Sequence, residues 1–185
     1  IMLQQTKVET VIPYYNNWIK KFPNILSVAK AEEETLLKAW EGLGYYARCR
    51  NFHKAAKIVC ENYNSKIPQS WDAFSGLPGV GEYTAGAVLS IAFDKPFIAL
   101  DGNVKRVMAR VTGRRKLSKY NINLIKQTLM QWLDKNRPGD FNEALMELGA
   151  CICTPKKPKC SGCPIKALCI AHKSGNPLNY PNYKK

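Results

Sequence analysis

Four cysteines, Cys153, Cys160, Cys163 and Cys169, stand in the run CTPKKPKCSGCPIKALC with the spacing C-x6-C-x2-C-x5-C. Thiolates this close in sequence can close around one metal centre with little loop to order. An all-sulfur shell suits either a tetrahedral zinc or an iron–sulfur cluster, and spacing alone leaves both open. A pair of structural disulfides is a third reading, disfavoured in a lysine-rich chain of intracellular type. The other cysteines, Cys49, Cys60 and Cys151, are expected to fill core.

Two further motifs carry chemistry. In LPGVGEYTAG (77–86), Pro78 and two glycines separate an apolar residue from a helical stretch. Gly79 and Gly81 permit a tight backbone and the close approach of another chain. The amides of the helix start that follows can face a phosphate. Such a hairpin grips a nucleic-acid backbone without reading its sequence; its plain alternative is a helix end. In LDGNVKRV (100–107), Asp101 precedes a helix start and reads as an N-cap. A carboxylate fixed there can also stabilise the positive charge that develops on a sugar as a glycosidic bond breaks. Both readings hold if the cap faces a cleft.

These residues must be positioned by a helical scaffold. Apolar spacing predicts helices over 7–21, 32–41, 46–63, 83–93, 103–112, 121–135 and 140–152. Asp140 and Glu143 read as a capping pair opening the last of these. No alternating strand pattern of useful length occurs, and the polar segment after Cys169 reads as loose. With 185 residues, 45% of them hydrophobic, the chain can form one domain or two small lobes. Lys and Arg outnumber Asp and Glu 28 to 14, a formal charge of +14, which attracts polyanions and predicts salt-dependent binding to nucleic acid. No apolar run approaches the roughly 18 residues of a membrane span, and no secretory signal is seen, so an intracellular protein without a membrane partner is expected, as a monomer. Ile1 stands in mid-pattern, and the chain is read as a fragment.

Hairpin, aspartate and cysteine loop, in that order, resemble the helix-hairpin-helix iron–sulfur DNA glycosylases related to endonuclease III over residues 1–170. MLQQT (2–6), GLGYYARCRN (42–51), LPGVGEYTAG, LDGNVKRV and ELGACICT (147–154) resemble the MutY-type adenine DNA glycosylases. That resemblance implies an all-α, two-lobed fold. A helical lobe, 1–95, carries the hairpin; a second, 96–170, carries Asp101 and a [4Fe–4S] cluster loop over 153–169; a loose basic tail covers 171–185; a basic cleft lies between the lobes. It implies base-excision repair of double-stranded DNA with an adenine mismatch: the flipped adenine opposite 8-oxoguanine or guanine is removed by hydrolysis of its N-glycosidic bond. Endonuclease III has a hairpin lysine that attacks the sugar. Tyr83 stands at that position here and cannot form a Schiff base, which implies a monofunctional enzyme.

Carried over residue by residue, the resemblance makes Asp101 the stabilising carboxylate and puts Tyr83 near the reacting nucleotide. Asn103 polarises groups near the sugar or steadies the helix start, and Lys105 lies close to the DNA. Gln4, Gln5 and Thr6 enter the duplex at the mismatch. Tyr45 intercalates beside the oxidised guanine, whereas Tyr46 is expected in the core. Arg48 and Arg50 are expected to meet phosphates, as are Lys156, Lys157 and Lys159 of the cluster loop. Glu143 either contacts the flipped adenine or caps its helix. The general acid of the resemblance is a glutamate directly ahead of Ile1, outside these residues, so excision by the 185-residue chain is expected to be weak, by about 10²–10⁴. The alternatives are a mismatch thymine glycosylase and a DNA-binding fragment without catalysis.

Overall fold

The computed structural model describes residues 1–182, and among them every regular element is helical. Their contacts divide the chain between Gly81 and Glu82, ahead of the 95/96 division read from the sequence. The reason lies in the helix that opens at Glu82, which packs on a helix near residue 140.

The first unit holds α1 (Val8–Lys21), α2 (Ile25–Lys30), α3 (Glu33–Trp40), α4 (Ala47–Asn62) and α5 (Trp71–Ser75). Val11, Trp18 and Phe22 point α1 and its end inward, while Glu9 and Lys20–Lys21 match the helix dipole at the two ends. Trp18 meets Trp40 edge to face at 5.6 Å and also touches Phe22 and Phe52. The short helix α2 escapes a periodicity reading at six residues; the Asn24–Ser27 capping box starts it, and its packing on α4 holds it. Beside α1 an apolar groove of about 660 Å³ is lined by residues including Met2, Val8, Ile12 and Trp18.

The second unit, from Glu82 onward, holds α6 (Glu82–Phe93), α7 (Gly102–Val111), α8 (Lys119–Trp132), α9 (Pro138–Glu147), a π turn over Leu148–Ile152, the cysteine loop and α10 (Ile170–Lys173). Leu100, Val104, Met108, Ile125 and Leu129 form its core. Where the extended stretch before α7 crosses α6, a Cβ on Gly86 would stand 2.0 Å from the Ile98 carbonyl oxygen. Buried Asn142 fixes that stretch: its amide donates to Ser90 Oγ (2.9 Å) and the Phe97 carbonyl (2.8 Å), and its Oδ1 accepts from Ala99 N–H (2.9 Å). The chain is thereby delivered rigidly to Asp101.

Several expectations are corrected. Helix α9 opens at Pro138, whose missing N–H and fixed φ suit the first helical turn, and Asp140 pairs with Arg137 at 2.6 Å instead of capping. Glu143 therefore has no capping role, and it is exposed. The segment after Cys169 is not loose over 171–182: Ala171 and Tyr180 are buried, Arg110 Nε donates to the Tyr180 carbonyl at 2.9 Å, and Asn182 N–H donates to the Arg115 carbonyl at 2.7 Å. Positions 183–185 of that tail lie outside the described residues. Tyr46 is exposed, not core, with its hydroxyl accepting from Gly42 N–H. Cys49 is buried, but Cys151 is exposed, on the π turn that widens the helix end. No helix among the described residues is long and apolar enough to cross a membrane.

Candidate functional site

Asp101 caps α7. Its Oδ1 accepts from Val104 N–H at 2.6 Å, and its Oδ2 accepts from Asn103 Nδ2 at 3.0 Å. The cap leaves the carboxylate half-buried and fixed by hydrogen bonds to both oxygens. Asn103 is held in turn: its Oδ1 accepts from Arg106 Nη2 at 2.9 Å. Arg106, only 5% exposed, also donates to the Gly149 carbonyl (2.7 Å) and, through Nε, to the Cys153 carbonyl (2.9 Å). A continuous chain of hydrogen bonds therefore runs from Asp101 to the first cysteine of the loop. Gly149 lets the π turn come this close; a Cβ there would stand 2.7 Å from Asn103 Cβ.

Tyr83, in the first turn of α6, is 39% exposed and donates its hydroxyl to Met146 Sδ at 3.6 Å. Burial, and then the Asp101 charge, raise its phenol above the ordinary value. Tyr83 thus stays protonated, within the field of Asp101. Lys105 is half-buried, with no ion pair among the described residues. Glu143 makes no ion pair among them either and stands exposed on α9.

All four loop cysteines line one cavity, together with Arg110, Lys159, His172 and Pro177. Burial and the neighbouring Cys153 and Cys169 push the Cys160 thiol up, an effect Arg110 opposes. A metal centre held by several thiolates relieves such crowding, zinc and cluster alike. Four thiols lining one cavity suit a tetrahedral zinc or an iron–sulfur cluster, and the geometry of the loop leaves both open. Arg110 bridges this cavity to the tail. Its Nη1 donates to Cys153 Sγ (3.2 Å) and to the Thr154 carbonyl (2.8 Å), while its Nε donates to the Pro177 and Tyr180 carbonyls. Lys156, Lys157 and Lys159 stand exposed on the same loop.

In the first unit, the hairpin glycine Gly79 has φ +77° and lies against Asn51, whose Cβ a substituted Cβ would meet at 2.8 Å. Its carbonyl accepts from Gln4 Nε2 at 3.4 Å, so MLQQT and the hairpin turn meet. Gly81 has open space at its Cα. Thr6 Oγ1 donates to the Gln4 carbonyl. Gln5 and Tyr45 are exposed and both left-handed, at φ 57° and 50°. Arg48 turns its guanidinium onto its own chain: the two terminal nitrogens donate to the carbonyls of Ile1, Met2, Gln4, Leu43 and Gly44, and Nε is buried without a partner. Arg50 pairs with Glu33 at 3.2 Å on the surface.

The family model for HhH-GPD superfamily base excision DNA repair proteins matches residues 1–135. The chain belongs to that superfamily. The model for the iron–sulfur binding domain of endonuclease III matches residues 153–169, bounded by the first and last loop cysteines. The cofactor of this HhH-GPD chain is accordingly a [4Fe–4S] cluster, and the matched stretch contains Cys153, Cys160, Cys163 and Cys169, which line one cavity.

Adenine DNA glycosylase of Schizosaccharomyces pombe is 46% identical over 98% of this chain and 40% of its own length. Its counterparts in Buchnera aphidicola subsp. Schizaphis graminum and Homo sapiens are 43% and 46% identical, over 100% and 92% of this chain and 54% and 32% of theirs. The chain thus spans about half or less of the curated relatives it matches. Among solved structures, a thermostable thymine-DNA glycosylase superposes with TM-score 0.86 at 28% identity, and a trapped endonuclease III–DNA covalent intermediate with 0.81 at 27%. Each alignment covers 94% of this chain and 81% of the other.

Arg106 stands within LDGNVKRV without a role assigned to it there, and Arg110 lies outside the motifs. The available signal was their spacing: Asn103, Arg106 and Arg110 share one helical face of α7, and charges that line up with a motif residue at three and seven positions can be buried partners as readily as solvated ones.

Proposed function

We propose that this chain is catalytic-domain sequence of a monofunctional adenine DNA glycosylase. The enzyme binds double-stranded DNA as a monomer and hydrolyses the N-glycosidic bond of adenine mispaired with 8-oxoguanine or guanine. The observation that carries the reading is the capped, doubly hydrogen-bonded Asp101 carboxylate with Tyr83, not lysine, within its field. The relatives at 43–46% identity named adenine DNA glycosylases support the choice of base.

Adenine is extruded from the stack, because a stacked base shields its glycosidic bond. As that bond lengthens, positive charge grows on the sugar, and Asp101 supplies a fixed negative charge to stabilise it. Val104 N–H and Asn103 hold both oxygens, so little reorganisation is needed at the moment of reaction. Tyr83 stays neutral and offers a hydroxyl, not an amine, which leaves water as the nucleophile and an abasic site as product. Protonation of the departing base requires an acid; the glutamate expected ahead of Ile1 is assigned that step. When bound, the cluster fixes the loop bearing Lys156, Lys157 and Lys159, whose exposed charges suit phosphates. With DNA as substrate, the protein works inside the cell.

The test is single-turnover adenine release from a duplex with adenine opposite 8-oxoguanine. The 185-residue chain is run beside a form extended ahead of Ile1 by a segment bearing that glutamate. Release by the extended form supports the reading. Release of thymine opposite guanine in place of adenine would favour the second reading, which the 0.86 superposition on a thymine-DNA glycosylase keeps in view. Binding without release of either base would make the chain a DNA-binding module.

A further inference from the structure

We propose that Arg48 is a positioning residue that presets Gln5 and Tyr45 for entry into a base stack, so that mismatch recognition depends on its guanidinium fork and not on its charge. This rests on the reading of the chain as an adenine-mismatch glycosylase.

Four residues of the first unit are left-handed without being glycine, Gln5, Tyr45, Asn64 and Ser65, and Gln5 and Tyr45 are the two whose preceding carbonyls Arg48 holds. The Tyr45 ring is 62% exposed, so no core packing accounts for its backbone. Residues in such conformations persist only where the surroundings over-determine them, and they gather at ligand-contacting positions. Here one side chain reaches both segments, while Trp40 Nε1 and Thr6 Oγ1 each donate to one of the two carbonyls, Gly44 and Gln4. Arg48 Nη1 donates to the carbonyls of Met2 (2.7 Å) and Gln4, and its Nη2 donates to that of Gly44 (3.2 Å). The Gln4 and Gly44 carbonyls belong to the peptide planes immediately before Gln5 and Tyr45. Flipping either plane to relieve the positive φ would turn its carbonyl away from the guanidinium.

The fork is itself fixed. Trp40, fully buried, lies 5.5 Å from the guanidinium carbon and donates its Nε1–H to the Gly44 carbonyl at 3.1 Å. The Tyr45 ring centroid lies 5.3 Å from the same guanidinium carbon. Gln4 meanwhile reaches the Gly79 carbonyl, tying the same turn to the hairpin. One planar cation thus holds an exposed aromatic, suited to stacking on bases, and an exposed amide, suited to base edges, on two chain segments far apart in sequence. Lysine carries the same charge but has no fork to reach both segments.

The experiment compares affinities of the chain for a duplex with adenine opposite 8-oxoguanine and for the fully paired duplex. Arg48→Lys should lose about tenfold of the wild-type preference, the order of one stacking contact, while binding to paired duplex and its salt slope stay unchanged. Tyr45→Ala should lose a similar factor. The double variant should lose no more than the larger single, because the two act as one unit. Full retention of the preference in Arg48→Lys, or losses that multiply in the double variant, would overturn the proposal. Should Arg48→Lys lose its helical circular dichroism, NMR of the wild-type arginine side chains decides: two slowly exchanging Nη environments for Arg48 support the clamp, and one averaged signal overturns it. A wild-type chain that binds both duplexes alike would overturn the adenine-mismatch reading and this inference with it; a wild-type preference kept by the lysine variant removes only the clamp.

Discussion

Each unit of the chain hangs its functional side chains on one arginine, and the two arginines work in opposite ways. Arg48, in the first unit, is half-buried and holds two exposed residues in conformations they would not choose alone. Arg106, in the second, is buried and holds Asp101, through Asn103, in a conformation an aspartate favours anyway, that of an N-cap. On the proposed function, the contrast follows from the task of each unit. Side chains that push into a partner must protrude, so local strain has to be held from behind. A carboxylate that stabilises a short-lived charge must not move, so it sits where local geometry, hydrogen bonds and burial agree. The unit that holds Arg48 also has the larger apolar groove, yet none of Gln5, Tyr45 or Gly79 lines it. In this molecule cavity size does not mark the chemistry.

The comparison breaks most sharply at Asp101. Asparagine caps helices as well as aspartate does, so Asp101→Asn should keep the Val104 N–H bond and lose only about 1 kcal/mol of stability, for the acceptor it takes from Asn103 Nδ2, yet lose about 10²–10³ in the rate of base release with the charge. Single-turnover release from the extended form, beside a thermal melt, measures both. A large loss of stability with it would mean that the N-cap hydrogen bonds, not the charge, are Asp101's main contribution.

Arg106 comes next. Arg106→Met would leave Asn103 Oδ1 and the Gly149 carbonyl without this buried donor, and the Cys153 carbonyl with Arg110 Nη1 alone. The expected loss is about 3 kcal/mol of stability, with cluster loss in air faster by about tenfold or more, read from the decay of its visible absorbance. Arg48→Lys should show neither effect on the cluster. If the two variants behave alike, the division of labour between the units is wrong.

The helices were legible wherever an apolar face recurred over two turns or more: α1, α3, α4, α6, α7 and α8 fall within a few residues of their expected positions. The helices α2, α5 and α10, of four to six residues, have too few repeats to show a period and are fixed by caps or tertiary contacts. The cysteine loop could be read because metal ligation constrains spacing along the chain. Arg48 could not be placed, because a basic residue in a basic chain has the same sequence signature whether it faces a phosphate or folds back on five carbonyls. Glu143 misled for a related reason: an acid three residues after another acid resembles a capping pair, but Pro138 started the helix two residues sooner.

Two glycines sharpen the contrast at smaller cost. Gly149→Ala puts a methyl 2.7 Å from Asn103 Cβ, and Gly79→Ala puts one 2.8 Å from Asn51 Cβ at a φ of +77°. Each should destabilise its unit by about 1–3 kcal/mol. Gly149→Ala should slow base release at saturating DNA, because it displaces Asn103 beneath Asp101. Gly79→Ala should weaken DNA binding, because it displaces the turn that Gln4 contacts. Release kinetics with varied DNA concentration separate the two.

The smallest effect concerns thiols. Burial, chiefly, pushes the Cys49 thiol from an ordinary 9.0 to about 11. The folded first unit therefore holds this proton more tightly than the unfolded chain does. That contribution to stability is whole below pH 9.0 and is lost as the pH rises through about 11. A thiol so protonated is a poor nucleophile, whereas Cys151 is exposed on the π turn of the second unit. With the cluster bound, a thiol reagent near pH 8 should modify Cys151 quickly and Cys49 only on the timescale of unfolding. Removing the cluster should add Cys153, Cys160, Cys163 and Cys169 to the reactive set while leaving the rate at Cys49 unchanged. A faster rate at Cys49 on cluster removal would show that the first unit depends on the cluster for its stability, and the separation drawn between the two arginines would no longer hold.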